Sequence, residues 1–325
     1  MGFFKRNIAP AEQTTSEEYQ TMPSLPSPPP ATTNGIRDFW QHWDYLLSMV
    51  NELDEFGVSI LESVGLTLDE SIITETDIPG GPNAGEILIA KGSRMEPRML
   101  AMLTAMGIRK VMARPNPRVL VLALSRTAIP ASYLVAAQAK AVGASIHRLE
   151  CFAEHASGVV QAIEEQLVRA DLVITVGGLD EPGVDLRDVA SQIGPHDFTP
   201  IAISPGGLHG FIMAEEKIPL VALPADAYAS FVLTKLIVEP MVAKLMGAGA
   251  DPELFSSHLA QPLRVLPNIL TCVPAMVKDG KMTITGRPQG FEGLHAIYSS
   301  NALAILASEE GLVNVDAEAY YLPLK

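Results

Sequence analysis

Two adjacent glycines followed closely by acids are the residues best placed to do chemistry: Gly177-Gly178, then Asp180, Glu181 and Asp185. Glycine tolerates positive φ and lets backbone approach a ligand closely. Carboxylates at this density are the oxygen ligands that a divalent cation such as Mg2+ takes. The same three acids equally suit a solvated loop running into a helix N-terminus, where the dipole favours negative charge. Both readings stand at this point.

The elements that must position these residues are apolar runs of β type alternating with segments of helical period. Strands are predicted at 118–124, 144–149, 171–176, near 198–203 and at 220–223. Helices are predicted between them at about 130–142, 156–168, 184–193 and 226–246. This alternation predicts a three-layer α/β/α domain on a mostly parallel sheet, with ligands beyond the carboxyl ends of the strands. The glycine pair ends one such strand, and Ser204-Pro205-Gly206 follows another. After Asp251 the texture changes, and 263–273, 275–285 and 317–324 predict a small β-rich domain. Residues 301–307 fit a strand or a helix.

Upstream, Pro, Ser, Thr and Glu dominate residues 1–35, a composition that predicts an unstructured tail. Within it Phe3-Phe4-Lys5-Arg6 reads either as a recruiting motif or as plain leader. From Ile36 an amphipathic helix carries Trp40 and Trp43, which would form a partner surface or pack on the chain's own body. A short second helix is expected at 59–64, a strand at 86–90 and a helix at 96–107. The expected organisation is a tail (1–35), a helical and linker region (36–115), the α/β/α domain (116–250) and the β-rich domain (251–325).

Composition narrows the function classes. A formal net charge of −14 with few aromatics argues against nucleic acid, whose phosphates are bound mainly by Lys and Arg. Cys151 and Cys272 are far apart and the histidines show no paired spacing, so a zinc site is not expected. No segment reaches the apolar length of a membrane span, and a cytoplasmic protein is expected.

Specific phrases then carry a resemblance. Met99-Leu-Ala-Met-Leu-Thr-Ala-Met-Gly-Ile108 leads into Pro117-Arg-Val-Leu120, and Val142-Gly-Ala144 precedes Ala170-Asp-Leu-Val-Ile-Thr-Val-Gly-Gly178. Ala222-Leu-Pro224 opens a helix ending in Glu239-Pro-Met-Val-Ala-Lys-Leu-Met-Gly247, and Thr285-Gly286 precedes Ser300-Asn301-Ala302. From about residue 85 onward the chain resembles the molybdopterin molybdenumtransferase family, the MoeA and gephyrin E-domain group, with its MoaB/Mog-like fold. The resemblance implies molybdopterin contacts from Gly177, Gly178, Asp180, Asp185, Ser204, Pro205 and Gly206. Asp185 matches the family's aspartate and would be the catalytic acid of an active enzyme, whereas Asp180 stands where the family has a phosphate-binding serine; Mg2+ held by Asp180, Glu181 and Asp185 is the reading those acids offer in its place.

The loops depart from the family where its chemistry resides. Ser125-Arg126-Thr127-Ala128-Ile129 stands where the family has Ser-Thr-Gly-Asp-Glu. Pro205-Gly206-Gly207-Leu208 lacks the lysine of Pro-Gly-Lys-Pro, which leaves His209 as a partial replacement. The Asp-Gly-Tyr-Ala signature of the leading modules does not occur. Losing several preorganised electrostatic contacts makes turnover hard to sustain. The chain therefore reads as a degenerate, N-terminally reduced member that binds or scaffolds without catalysis. The alternative is an active molybdopterin molybdenumtransferase, inserting molybdate into adenylylated molybdopterin. A scaffold implies a protein partner met through the tail, the Trp40/Trp43 helix or the C-terminal domain. The resemblance also implies a homodimer.

Overall fold

The computed structural model describes residues 24–324 apart from Pro79, Asp180, Glu216 and 287–289. The recruiting motif at Phe3–Arg6 and the acid Asp180 therefore lie outside the described residues.

The central sheet has six strands in the order Ser145–Glu150, Arg118–Ala123, Leu172–Val176, Ile218–Leu223, Gly210–Ala214 and His196–Asp197. The first four run parallel and the last two pair antiparallel. Side chains alternate between the faces, as the strand period of two demands. Val119, Val121, Ile174 and Val221 enter one core with the helix Ile129–Ala141 and the segment 227–245. Leu120, Leu122, Val173 and Leu220 enter the other with Ala156–Leu167 and Leu186–Ile193. Helices on both faces give the expected three layers.

The edge differs from expectation. Strand Gly210–Ala214 was not foreseen. It is buried on both faces, so its sequence shows no alternation to read. Ile203–Ser204 leaves this sheet and pairs with Leu270–Thr271 of the next domain. The long helix begins after Asp226, whose carboxylate accepts from Ala229 N at 2.8 Å. Thr234–Val238 forms a π-helical turn just before Pro240, which has no N–H for the ladder.

In the C-terminal domain, Leu270–Lys278, Lys281–Ile284, Phe255–Leu259, Glu318–Pro323 and Ala302–Leu306 pair in a ring. The result is a closed five-stranded barrel around Leu259, Val273, Ala275, Met282 and Ala304. Residues 301–307 resolve as strand Ala302–Leu306; the expected strands 263–273 and 275–285 divide instead as Leu263–Arg264, Leu270–Lys278 and Lys281–Ile284, and strand Phe255–Leu259 and helix Gly290–Tyr298 are additional. Fully buried Tyr228 ties the barrel to the sheet domain by donating to Cys272 O at 3.0 Å.

Helix Phe39–Ser48 starts at Asp38, which accepts from Gln41 N at 3.0 Å. Its apolar stripe faces the protein's own core. Trp43 is buried and donates Nε1–H to Leu236 O at 2.7 Å, and half-buried Trp40 packs on the same core. Where a second helix was expected at 59–64, Ser59 ends a strand and residues 60–64 are turns. The seven residues between Gly57 and Gly65 are too few to repay helix nucleation. The preceding Phe56–Ser59 is instead committed to a three-stranded sheet with Lys110–Arg114 and Thr67–Leu68. Helix Pro97–Ala105 sits where expected, closed by Gly107 at φ +77°.

Residues 24–35, expected to be tail, lie against the body. Leu25 packs on the main core, Pro26 O accepts from Tyr45 Oη at 3.0 Å, and Pro29 O accepts from Arg37 Nε at 3.0 Å. Prolines lack N–H donors, but their carbonyls remain available, and these anchor the strap. Among the described residues no helix is long and apolar enough to cross a membrane.

Candidate functional site

The crevice lies where sheets of this kind bind ligands, beyond the carboxyl ends of Arg118–Ala123, Leu172–Val176 and Ile218–Leu223. Ser125, Arg126, Thr127, Glu181, Pro182, Ala225 and Asp226 line a cavity there. Gly177 and Gly178 sit beside it with φ of +91° and +77°. Gly177 N donates to Leu223 O at 2.9 Å, which fixes the turn to the neighbouring strand.

Glu181 folds back onto this turn. Its Oε1 accepts from Gly178 N at 2.7 Å and its Oε2 accepts from Thr127 Oγ1 at 3.0 Å. Ser125 Oγ lies 2.8 Å from Thr127 Oγ1 and accepts from Ala128 N at 3.2 Å. A Cβ built on Gly177 would collide with Glu181 Oε1. The positive φ is what requires glycine at 177, and its missing Cβ leaves room for a carboxylate of the same chain.

Asp185 is the N-cap of helix Leu186–Ile193. Its Oδ1 accepts from Arg187 N at 2.9 Å and lies 3.3 Å from the Arg187 guanidinium. Mg2+ takes one or two carboxylates with oxygens free to face it, and waters complete its octahedral shell. Glu181 and Asp185 are both already engaged, and no group of three or more His, Cys, Asp or Glu among the described residues is arranged to hold a metal. The described residues do not fit Mg2+.

Ser204, Pro205 and Gly206 serve a different place. Ser204 pairs with Thr271 at the junction with the barrel. Gly206 has φ +101°, and a Cβ there would strike Leu233. None of the three lines the cavity at the glycine turn.

His209 cannot stand in for the missing lysine. It is buried, and its Nε2 lies 2.7 Å from His42 Nε2. Behind them Arg37 Nη1 reaches His42 Nδ1 at 2.8 Å and Asp197 Oδ2 at 2.6 Å, while Nη2 donates to Thr199 Oγ1 at 3.2 Å. Arginine only donates, so His42 Nδ1 accepts and its Nε2–H donates to His209 Nε2. His209 then carries its proton on Nδ1, which has no hydrogen-bond partner. Burial, with the Arg37 charge, holds both imidazoles well below their usual pKa, and the His209 ring lowers His42 further. Burial pushes Asp197 up, but hydrogen bonds from Thr199 and Arg37 outweigh it and hold it below the usual carboxylate range. Sequence reading missed this network, because its hydrogen-bonded partners lie up to 167 positions apart and none has a local pattern.

No family model matches the chain. Molybdopterin molybdenumtransferase 1 of Mycobacterium tuberculosis (strain H37Rv) is 24% identical over 178 residues, covering 50% of this chain and 42% of that protein. The molybdopterin molybdenumtransferase of Staphylococcus epidermidis (strain RP62A) is 25% identical over 245 residues, 69% of this chain and 58% of that protein. The chain thus spans about half the length of the curated relatives it matches. Among solved structures, the molybdopterin biosynthesis moeA protein of Pyrococcus horikoshii OT3 superposes with a TM-score of 0.70 at 16% identity, covering 89% of this chain and all of that one. A molybdenum cofactor biosynthesis protein from Pyrococcus furiosus gives 0.69 at 20% identity, over 88% and 98%. In sequence the chain is similar to molybdopterin molybdenumtransferases, and it shares the fold of the MoeA structures.

Proposed function

We propose that the chain is a non-catalytic member of the MoeA family that works as a binding or scaffold protein in the setting of molybdenum cofactor synthesis. One observation carries this reading: the described acids that Mg2+ chemistry would need, Glu181 and Asp185, are held by the chain's own backbone and side chains. The loop Ser125-Arg126-Thr127 presents hydroxyls and a cation but no carboxylate. His209 is turned into the interior. A preorganised catalytic site needs donors and acids aimed at the reacting group, and each one lost typically costs about a hundredfold in rate.

A scaffold needs a surface. The Trp-bearing helix packs on the protein's own core, so Trp43 offers none. The barrel side is the better candidate for a protein partner, since half-exposed Tyr320, Leu254 and Leu270 border an apolar cavity there together with Trp40.

The names of the relatives favour the competing reading, an active molybdopterin molybdenumtransferase. The deciding experiment is incubation of the purified protein with adenylylated molybdopterin, molybdate and Mg2+. We expect no mature cofactor. Metal-dependent turnover that Asp185→Ala abolishes would overturn the proposal.

A further inference from the structure

We infer that the Glu181 carboxylate is a built-in anion seated on the glycine turn, and that it decides whether the crevice accepts a phosphate-bearing ligand. The inference rests on reading this crevice as the retained ligand site of the fold.

The carboxylate bridges the two loops that close the crevice. One oxygen takes the Gly178 N–H at 2.7 Å, after strand Leu172–Val176. The other takes the Thr127 hydroxyl at 3.0 Å, after strand Arg118–Ala123. A backbone N–H and a hydroxyl converging on a pair of carboxylate oxygens are the donors an oxyanion takes. Three further features suit negative charge at this place. Helix Ile129–Ala141 begins just beyond Ala128, with neither a side-chain cap nor an acid in its first turn, so its positive end is uncompensated by its own residues. Ala128 Cβ and Glu181 Oε1 both lie against the position a Gly177 Cβ would take, which puts the carboxylate beside that helix start. Arg126, stacked over Phe152 with 5.3 Å to the ring centroid, forms part of the cavity wall.

The fit is mutual. Gly177 has φ +91°, and its missing side chain is what makes room for Glu181 Oε1. An incoming phosphate would need the same two donors and would meet a like charge a few ångströms away, so it is excluded while Glu181 stays in place. The wall also carries Asp226, whose carboxylate caps Ala229 N at 2.8 Å and adds to the repulsion. Occupation by Glu181 stabilises the turn and at the same time removes the site from phosphate chemistry. Glu181 is half-buried at the crevice mouth, so truncating it empties the cradle without opening the core.

The test is titration of inorganic phosphate at low ionic strength, followed by calorimetry, on the full chain and three variants. The wild type is expected to bind weakly or not at all. Glu181→Ala should gain at least about tenfold in affinity by removing both the competitor and its charge. Glu181→Gln, which keeps the shape and loses the charge, should fall between them. Adding Thr127→Val to Glu181→Ala should remove most of the gain, since one of the two donors is then missing. Unchanged thermal melting of each variant shows that the readout concerns the cradle and not the fold. Wild-type affinity equal to that of Glu181→Ala, or no gain in Glu181→Ala, overturns the inference. Neither result bears on turnover, which the transferase assay reads separately. Turnover by the wild type would refute the non-catalytic reading whatever the phosphate series gives.

Discussion

The glycine-turn crevice and the Arg37–His42–His209–Asp197 network are two polar constellations, and water reaches them very differently. Glu181 meets its donors at a solvent-exposed mouth. Arg37, His42 and His209 are buried, and Asp197 is nearly so. Polar groups cost most when left unpaired in the interior. The buried network should therefore govern stability, while the crevice should govern only what binds. Catalytic residue types are not a guide to where the molecule's tightest polar chemistry lies.

The largest effect that would sharpen this contrast is Arg37→Ala. It removes the partner of Asp197, the donor to His42 and the anchor of the strap at Pro29 together. Breaking a buried ion pair in this way typically costs about 3–5 kcal/mol. Urea denaturation should show a loss of that order. A loss below about 1 kcal/mol would place the network with ordinary surface pairs.

A second prediction concerns pH. Both imidazoles are held neutral in the folded chain, with pKa lowered by burial. The unfolded chain therefore binds more protons below the ordinary histidine value of about 6.5. Stability should be at its plateau above that pH and fall as pH drops toward the lowered folded values. The slope approaches about 1.4 kcal/mol per pH unit for each ring. Asp197, whose pKa is depressed, adds its loss only at still lower pH, below the ordinary aspartate value. Replacing His209 by Phe should reduce the slope between pH 6.5 and 5, and a slope identical to that of the wild type would break the assignment.

The smallest effect belongs to the crevice side. Asp185→Ala removes the N-cap of a short helix at an exposed end and should cost about 1 kcal/mol. It should leave phosphate affinity in the Glu181→Ala background unchanged. A matching loss of phosphate binding would show that Asp185 belongs to the cradle after all.

How much of this was legible in the sequence depends on how local each signal is. The runs Arg118–Ala123 and Leu172–Val176 announce a parallel sheet by continuous apolar β-type residues, and Ala156–Leu167 announces itself by period. Gly210–Ala214 was hidden because a strand buried on both faces has no alternation. The turns at 60–64 read as helix because short apolar spacing fits both. The dual character of the acids was legible as well: Asp185 proved to be the helix N-cap that an acidic first turn suggests. The Glu181 contact was not. It joins positions 54 apart, and only the parallel pairing of Arg118–Ala123 with Leu172–Val176 brings Thr127 and Glu181 together. The same holds for His42 and His209, which meet because the strap adds beside Ile201 through Arg37.

The claim that the crevice is occupied by the protein itself is tested most directly by a crystal structure of the wild type grown with millimolar-range phosphate present. The account predicts Glu181 Oε1 on Gly178 N and Oε2 on Thr127 Oγ1, with no phosphate between them. A phosphate seated on Gly178 N, with Glu181 turned out to solvent, would contradict it.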